Sequence, residues 1–144
     1  MQIEPLRESH LDTVSEIEAN DGDVKWSRAQ FAKELESEFI RFFVATSDDN
    51  ILGYVGYRKA DTEAQVTNLV VRKESQCQGV GRRLLEFLLD CARGESCTTC
   101  TLEVRKSNAH AQALYQKIGF EIQSTRPKMY QNPEEEGVLM EKKL

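Results

Sequence analysis

The chain has 144 residues, which at roughly 150 residues per domain makes one domain over 1–144. Lys plus Arg number 19 and Asp plus Glu 24, a formal net charge of −5, so the basic excess of a sequence-independent nucleic-acid binder is missing. Hydrophobic residues at 40% and charged residues at 30% argue for a globular chain and against disorder.

The opening MQIEPLRESH has no apolar core and no small-residue cleavage site, and no later run approaches the roughly 18 apolar residues of a membrane span. The chain is expected to stay in the cytosol, away from membranes. Residues 2–7 predict a short strand. Residues 9–19 predict a helix, with Leu11, Val14, Ile17 and Glu18 near the 3.6 period. Asn20-Asp21-Gly22-Asp23 is a turn cluster. Ser27 and Gln30 form a capping box at the next helix start, with Trp26 and Phe31 in the hydrophobic-staple positions.

The period then changes to two. Residues 40–47 and 51–59 predict strands joined at Asp48-Asp49-Asn50, a hairpin signal, and 63–72 a third strand. Residues 79–93 predict a helix with Leu84, Leu85, Leu88, Leu89 and Ala92 as its apolar stripe and Gly94 at C′. Residues 97–105 predict a strand. They hold Cys97 and Cys100, a lone CxxC in a β-branched run. A zinc site would need two more ligands, and the only histidines are His10 and His110, both read as surface residues. No metal is expected, and Cys77, Cys91, Cys97 and Cys100 read as reduced structural thiols. Residues 108–118 predict a helix between Asn108 as N-cap and Gly119 at C′. Two strands, 120–126 and 137–143, flank a polar loop with Pro127, Pro133 and Glu134-Glu135-Glu136. The order β-α-α-β-β-β-α-β-α-β-β is an α+β fold with a mixed sheet.

The segment from Val70 to Leu85 carries the chemistry. A Val-rich strand ends in a polar loop, followed by Gly79-Val80-Gly81 and an amphipathic helix. The first turn of a helix leaves N–H groups free, the macrodipole favours an anion there, and glycine lets a ligand approach the backbone. Arg82 and Arg83 add positive charge. In outline this is a phosphate site. It is neither a P-loop, which needs GxxxxGK[ST], nor a dinucleotide fingerprint, since Leu84 stands where GxGxxG needs glycine. Taken alone, Gly79-Val80-Gly81 equally fits a plain strand-to-helix turn.

Gln76-x-x-Gly79-x-Gly81 after that strand resembles the coenzyme A signature of the GNAT N-acetyltransferase superfamily, whose element order the whole chain also matches. Leu102-Glu103-Val104-Arg105-Lys106-Ser107-Asn108 and Ala113-Leu114-Tyr115-Gln116-Lys117-Ile118-Gly119-Phe120 are similar to the RimI-like subfamily, which acetylates the N-terminal alanine of a small-subunit ribosomal protein. Trp26-Ser27, Glu63-Ala64 with Asn68, and Tyr130 fit the same subfamily. The resemblance implies a mostly antiparallel mixed sheet of about six to seven strands flanked by about four helices. It implies acetyl-CoA as cosubstrate, held by Leu69, Val70, Val71, Gln76, Cys77, Gln78, Gly79, Val80, Gly81, Arg82, Asn108 and Tyr115. It also implies Glu103 as general base, Tyr115 as general acid, and a protein N-terminus as acceptor amine.

The sequence departs from its relatives at Lys73, Ser75 and Cys77 in the loop, and at Met129 and Glu136-Gly137 where the acceptor site is expected. From the residues alone, Glu103 could be a same-face ion pair with Arg105, and Tyr115 a core tyrosine in the stripe Ala111, Leu114, Tyr115, Ile118. Glu63 is a rival base. Transfer to a small-molecule amine and a non-catalytic acetyl-CoA-binding module are the alternative functions. The module would have no need of the Glu103–Tyr115 pair.

Overall fold

A computed structural model describes residues 1–131 and 133–144. Seven strands form one sheet: β1 Gln2–Pro5, β2 Ile40–Ser47, β3 Asn50–Ala60, β4 Glu63–Val71, β5 Thr99–Arg105, β6 Glu121–Tyr130 and β7 Glu135–Lys143. Their spatial order is β1-β2-β3-β4-β5-β7-β6. Every neighbouring pair is antiparallel except β4–β5. The helices are α1 Leu11–Asp21, α2 Arg28–Leu35, α3 Val80–Gly94 and α4 Ala109–Ile118. This is the α+β architecture expected from the element order.

The sheet is covered on both faces. Phe31, Val14 and Ile17 from α1 and α2 pack on Phe42, Val44, Tyr54 and Val70. On the other face Leu84, Leu85, Leu88 and Leu89 of α3 pack on Val55, Tyr57, Leu102 and Val104, with Tyr115 and Phe120 from the α4 region. Strands buried on both faces account for the near-continuous apolar runs of β2 and β3.

Within β4 the alternation changes phase. Ala64 and Val66 belong to the α3-side core, and so do Leu69 and Val71, an odd step between the two pairs. The step is a bulge: Gly56 pairs with Asn68 and Tyr57 with Val66, which leaves Thr67 as the extra residue. The bulge turns Asn68 and Val70 toward α1. There Asn68 meets Glu18, which lies on the apolar stripe predicted for α1 and is fully buried. The Glu18 carboxylate accepts from Tyr54 Oη, from Asn68 Nδ2 at 3.1 Å, and from the backbone N–H groups of Val24 at 3.2 Å and Lys25 at 3.0 Å. A buried carboxylate is stable only with its lone pairs occupied, and these four donors occupy them.

Several local expectations change. Ser27 Oγ accepts from Gln30 N at 3.2 Å, but Gln30 Nε2 donates to Glu34 at 2.9 Å, so half of the capping box forms. The staple is present, with the Trp26 and Phe31 rings edge to face at 5.3 Å. Gly94 is helical rather than C′; the left-handed residue after α3 is Ser96, and Cys97 N closes on Ala92 O at 2.9 Å. Asn108 and Gly119 do cap α4: Asn108 Oδ1 accepts from Ala111 N at 3.1 Å and Gly119 has φ 112°. His10 is half-buried because its Nδ1 accepts from Arg7 N at 2.9 Å.

The polar loop expected before residue 137 is shorter, since β6 runs on through Pro127 to Tyr130 and β7 starts at Glu135. Proline is tolerated there because β6 is the outermost strand and its register breaks between Arg126 and Tyr130. Asn132 of that loop lies outside the described residues.

Among the described residues no helix is long and apolar enough to cross a membrane, and no group of three His, Cys, Asp or Glu is placed to hold a metal ion. Cys97 and Cys100 are buried free thiols. Burial, then the neighbouring Cys97 and Glu63, push the Cys100 thiol up to about 12. Such a thiol is inert at neutral pH, which suits a structural residue and not a redox pair.

Candidate active site

The parallel pair β4–β5 holds for three residues, Glu63 with Thr99, Ala64 with Cys100 and Gln65 with Thr101. Beyond them the strands part. The bulge at Thr67 bends β4, while β5 stays with β7 from Thr99 to Arg105. Two adjacent strands that stop pairing leave their facing edges open, and here the opening is a cleft of about 980 Å³. All the candidate binding residues except Gln78 line this cleft, as do Glu63, Glu103 and Tyr115.

At one end stands the loop before α3. Gly79 is its N-cap with φ 83°, a left-handed conformation that favours glycine. No atom lies within 4 Å of where a Cβ would sit. The first α3 amide bonded from its own turn is Arg83, to Gly79 O at 3.1 Å, so the N–H groups of Val80, Gly81 and Arg82 lack a helical acceptor. A β-carbon on Gly81 would come within 3.5 Å of Val71 and 4.0 Å of Leu114, so the helix start lies close against β4 and α4. These features fit an anionic phosphate.

The side chains of the motif act mostly as braces. Gln76 Nε2 donates to Val71 O at 3.0 Å, closing the loop on the end of β4. Gln78 Nε2 reaches Glu74 O at 3.4 Å. The Arg82 guanidinium lies 3.3 Å from Glu86, along the helix. Cys77 is exposed, with φ 62°.

Tyr115 enters the cleft from α4. It is 9% exposed and packs edge to face on Phe120 at 6.1 Å. A core tyrosine would have its hydroxyl satisfied, yet among the described residues this hydroxyl has no hydrogen-bond partner. The hydroxyl is not among the water-shielded unpaired atoms of the described residues, so it opens on the cleft that Tyr115 lines. Burial first, then the charge of Asp23, push its pKa up to about 12.

Glu103 lies on β5 beyond the point where the strands part, on the opposite face from Leu102 and Val104. Its ion-pair partner is Arg126 at 3.4 Å and not Arg105, so the same-face pair is not made. Arg126 is 61% exposed, which makes this pair weak, about 0–1 kcal/mol. Glu63 sits behind the parting point and accepts from Thr101 Oγ1 at 2.9 Å.

Sequence reasoning missed one wall of the cleft. Asp21, Gly22, Asp23 and Val24 line it, together with Thr67, Arg126 and Leu139. Asp21, Gly22 and Asp23 had read only as a turn and Val24 was not singled out; the acidic character of Asp21 and Asp23 was the one signal available. Tyr130, which the resemblance did single out, also lines the cleft. Burial, then Asp23 and Glu103, raise its hydroxyl to about 12, so it stays neutral.

Residues 11–120 match the model of the acetyltransferase (GNAT) family. The chain is 31% identical over 140 residues to the ribosomal protein bS18-alanine N-acetyltransferase of Escherichia coli, covering 96% of this chain and 94% of that one. It is 38% identical over 113 residues to the N-alpha-acetyltransferase RimI of Mycobacterium tuberculosis, covering 76% and 70%. A solved ribosomal-protein-alanine N-acetyltransferase from Escherichia coli superposes with a TM-score of 0.90 at 30% identity, covering 99% of this chain and 92% of that one.

Two outcomes are expected at the loop. Gly79→Val forces a branched side chain into a left-handed conformation, at about 1–3 kcal/mol of strain. The fold should persist, with coenzyme A affinity lowered about tenfold or more by calorimetry; unchanged affinity would place the phosphate elsewhere. Cys77 should be the first of the four thiols alkylated by iodoacetamide, since it alone is exposed, and coenzyme A should protect it. Mass-spectrometric mapping with and without coenzyme A reads both halves.

Proposed function

The chain belongs to the GNAT acetyltransferase family, and from that premise we propose that it acetylates the N-terminal α-amine of a ribosomal protein. It is an acetyl-CoA-dependent N-acetyltransferase. The RimI-named relatives support the finer reading, and the observation that carries it is Tyr115, whose unpartnered hydroxyl opens on the cleft that Glu103 also lines. Free N–H groups at the start of α3 suit the coenzyme A pyrophosphate. The open edge of β4 from Asn68 to Val71 suits the extended pantetheine arm, which can bond to it as an added strand would.

Transfer is direct. The neutral amine attacks the thioester carbonyl, the C–S bond breaks, and the departing sulfur takes a proton from the Tyr115 hydroxyl. Glu103, directly or through water, receives the proton that the amine loses. An α-amine with a pKa of about 7.8 is roughly a tenth neutral at pH 7, while a lysine at about 10.4 is neutral in less than about one part in a thousand. A modest carboxylate base therefore suits an α-amine. Glu103 is favoured over Glu63 because it stands where the strands have parted, and Glu63 is engaged by Thr101.

The deciding assay is acetyl-CoA consumption against N-terminal hexapeptides, lysine peptides and polyamines. The proposal expects the alanine-initiated peptides to turn over fastest; equal or faster polyamine turnover would move the acceptor class to small molecules. Tyr115→Phe should lower kcat by about 10²–10⁴ and leave the KM for acetyl-CoA nearly unchanged. A parental kcat in that variant refutes the proton-donor role.

The pH profile supplies a separate check. Tyr115 loses its proton only near pH 12, so the acid form persists across the working range. kcat/KM for a peptide should rise as the α-ammonium deprotonates near pH 7.8 and stay level to about pH 10. A descending limb centred below pH 9 would identify a different acid.

A further inference from the structure

We infer that Arg105 is a positioning residue that clamps the two walls of the acceptor mouth and sets acceptor affinity without touching the reacting atoms. One wall runs from Asp21, the last residue of α1, to Lys25, and the other holds Tyr130, Gln131 and Pro133 to Glu135; of these, Asp21 to Val24 and Tyr130 line the cleft itself. A single guanidinium joins them. Nε donates to Asp23 Oδ1 at 2.8 Å. Nη2 donates to Gln131 O at 2.8 Å, and Nη1 to Pro133 O at 2.9 Å and to Glu135 Oε1 at 3.4 Å. The same group lies 4.8 Å from the centroid of the Tyr130 ring. The Arg105 side chain is 15% exposed, while Asp23 and the carbonyls of Gln131 and Pro133 lie at the surface.

The stem of Arg105 is fixed by β5, two residues after Glu103 and on the same face. Both walls are therefore referenced to the strand that carries the base. The first wall has further anchors: Glu18 holds the Val24 and Lys25 amides, and Asp21 accepts from Lys73 N at 3.3 Å. In the second, Glu135 also accepts from Ser107 N at 2.8 Å. Among the described residues only Arg105 bonds to both. Four acceptors in different directions, plus a ring face, need the planar fork of arginine. A lysine ammonium has three donors at one point and cannot span them. The two carboxylates, Asp23 and Glu135, outweigh the one guanidinium, so the clamp adds no net repulsion toward a cationic amine.

The kinetic half of this inference rests on the acetyl-transfer reading above; the structural half does not. The test uses the full chain with Arg105→Lys, Arg105→Gln and Asp23→Asn, in two arms. Hydrogen exchange without substrates should show faster amide exchange in both 22–25 and 130–135 for either Arg105 variant. Asp23→Asn should speed exchange in 22–25 alone, and the 76–82 loop should keep its rate in all three. In steady-state kinetics Arg105→Lys should raise the KM for the alanine-initiated hexapeptide about tenfold or more, with the KM for acetyl-CoA within about twofold of the parent.

Parental exchange in both walls of Arg105→Lys overturns the clamp, whatever the kinetics. Loosened walls with a parental acceptor KM overturn the role in acceptor affinity. Should Arg105→Gln fail to fold, Arg105→Lys and Asp23→Asn carry the test. If no peptide is a substrate of the parent enzyme, the reading of a protein N-terminus as acceptor fails, while the exchange arm still decides the clamp.

Discussion

Everything in the site depends on the parting of β4 and β5. A sheet is stable because neighbouring strands satisfy each other's backbone groups, and a gap in its middle exposes them. Here the pairing stops after three residues. Two features hold the gap open. The bulge at Thr67 turns β4 away, and the antiparallel pairing of β5 with β7 over its whole length keeps β5 from following. The gap lets α3, which follows β4, and α4, which follows β5, meet at one place. The start of α3, with its free N–H groups, and Tyr115 thus reach the same cleft.

The bulge has a second consequence. By reversing which residues of β4 face α1, it brings Asn68 against Glu18. A buried carboxylate next to an apolar core is costly, and it is retained because its four donors come from three places: β3, β4 and the segment after α1. Gly22 lies directly on this carboxylate, and a β-carbon there would collide with it. The turn of one acceptor wall is thus fixed from beneath by Glu18 and from the side by Arg105. The two anchors act on adjacent residues from different layers of the fold.

Much of this was legible in the sequence. The period changes located the helices and strands, because both faces of the sheet are buried and the apolar pattern is strong. Gly79 and Gly81 located the start of α3, because a left-handed N-cap at Gly79 is a local requirement written in local residues. What was not legible depends on long-range pairing. Glu18 fell on an apolar stripe, but nothing nearby showed that Tyr54 and Asn68, 36 and 50 residues away, would meet it. Arg105 looked like a partner for Glu103 two positions away, and instead reaches Asp23, 82 residues back, and Glu135, 30 residues ahead. Gly94 read as a helix end, but the chain turns two residues later at Ser96.

The charge of the chain follows the same division of labour. An acidic protein that binds a strongly anionic cosubstrate needs its positive potential concentrated, and backbone N–H groups at a helix start supply that without altering net charge. The nearby Arg82 is directed along the helix to Glu86. Asp21, Asp23 and Glu103 line the same cleft. They are partly engaged by Arg105, Arg126 and Lys73 N, so they do not crowd one another with unbalanced charge. The cleft thus draws its potential from two sources, peptide dipoles at the start of α3 and carboxylate side chains on α1, the segment after it and β5. The first suits an anion and the second an ammonium ion, which lets one acidic chain accommodate both.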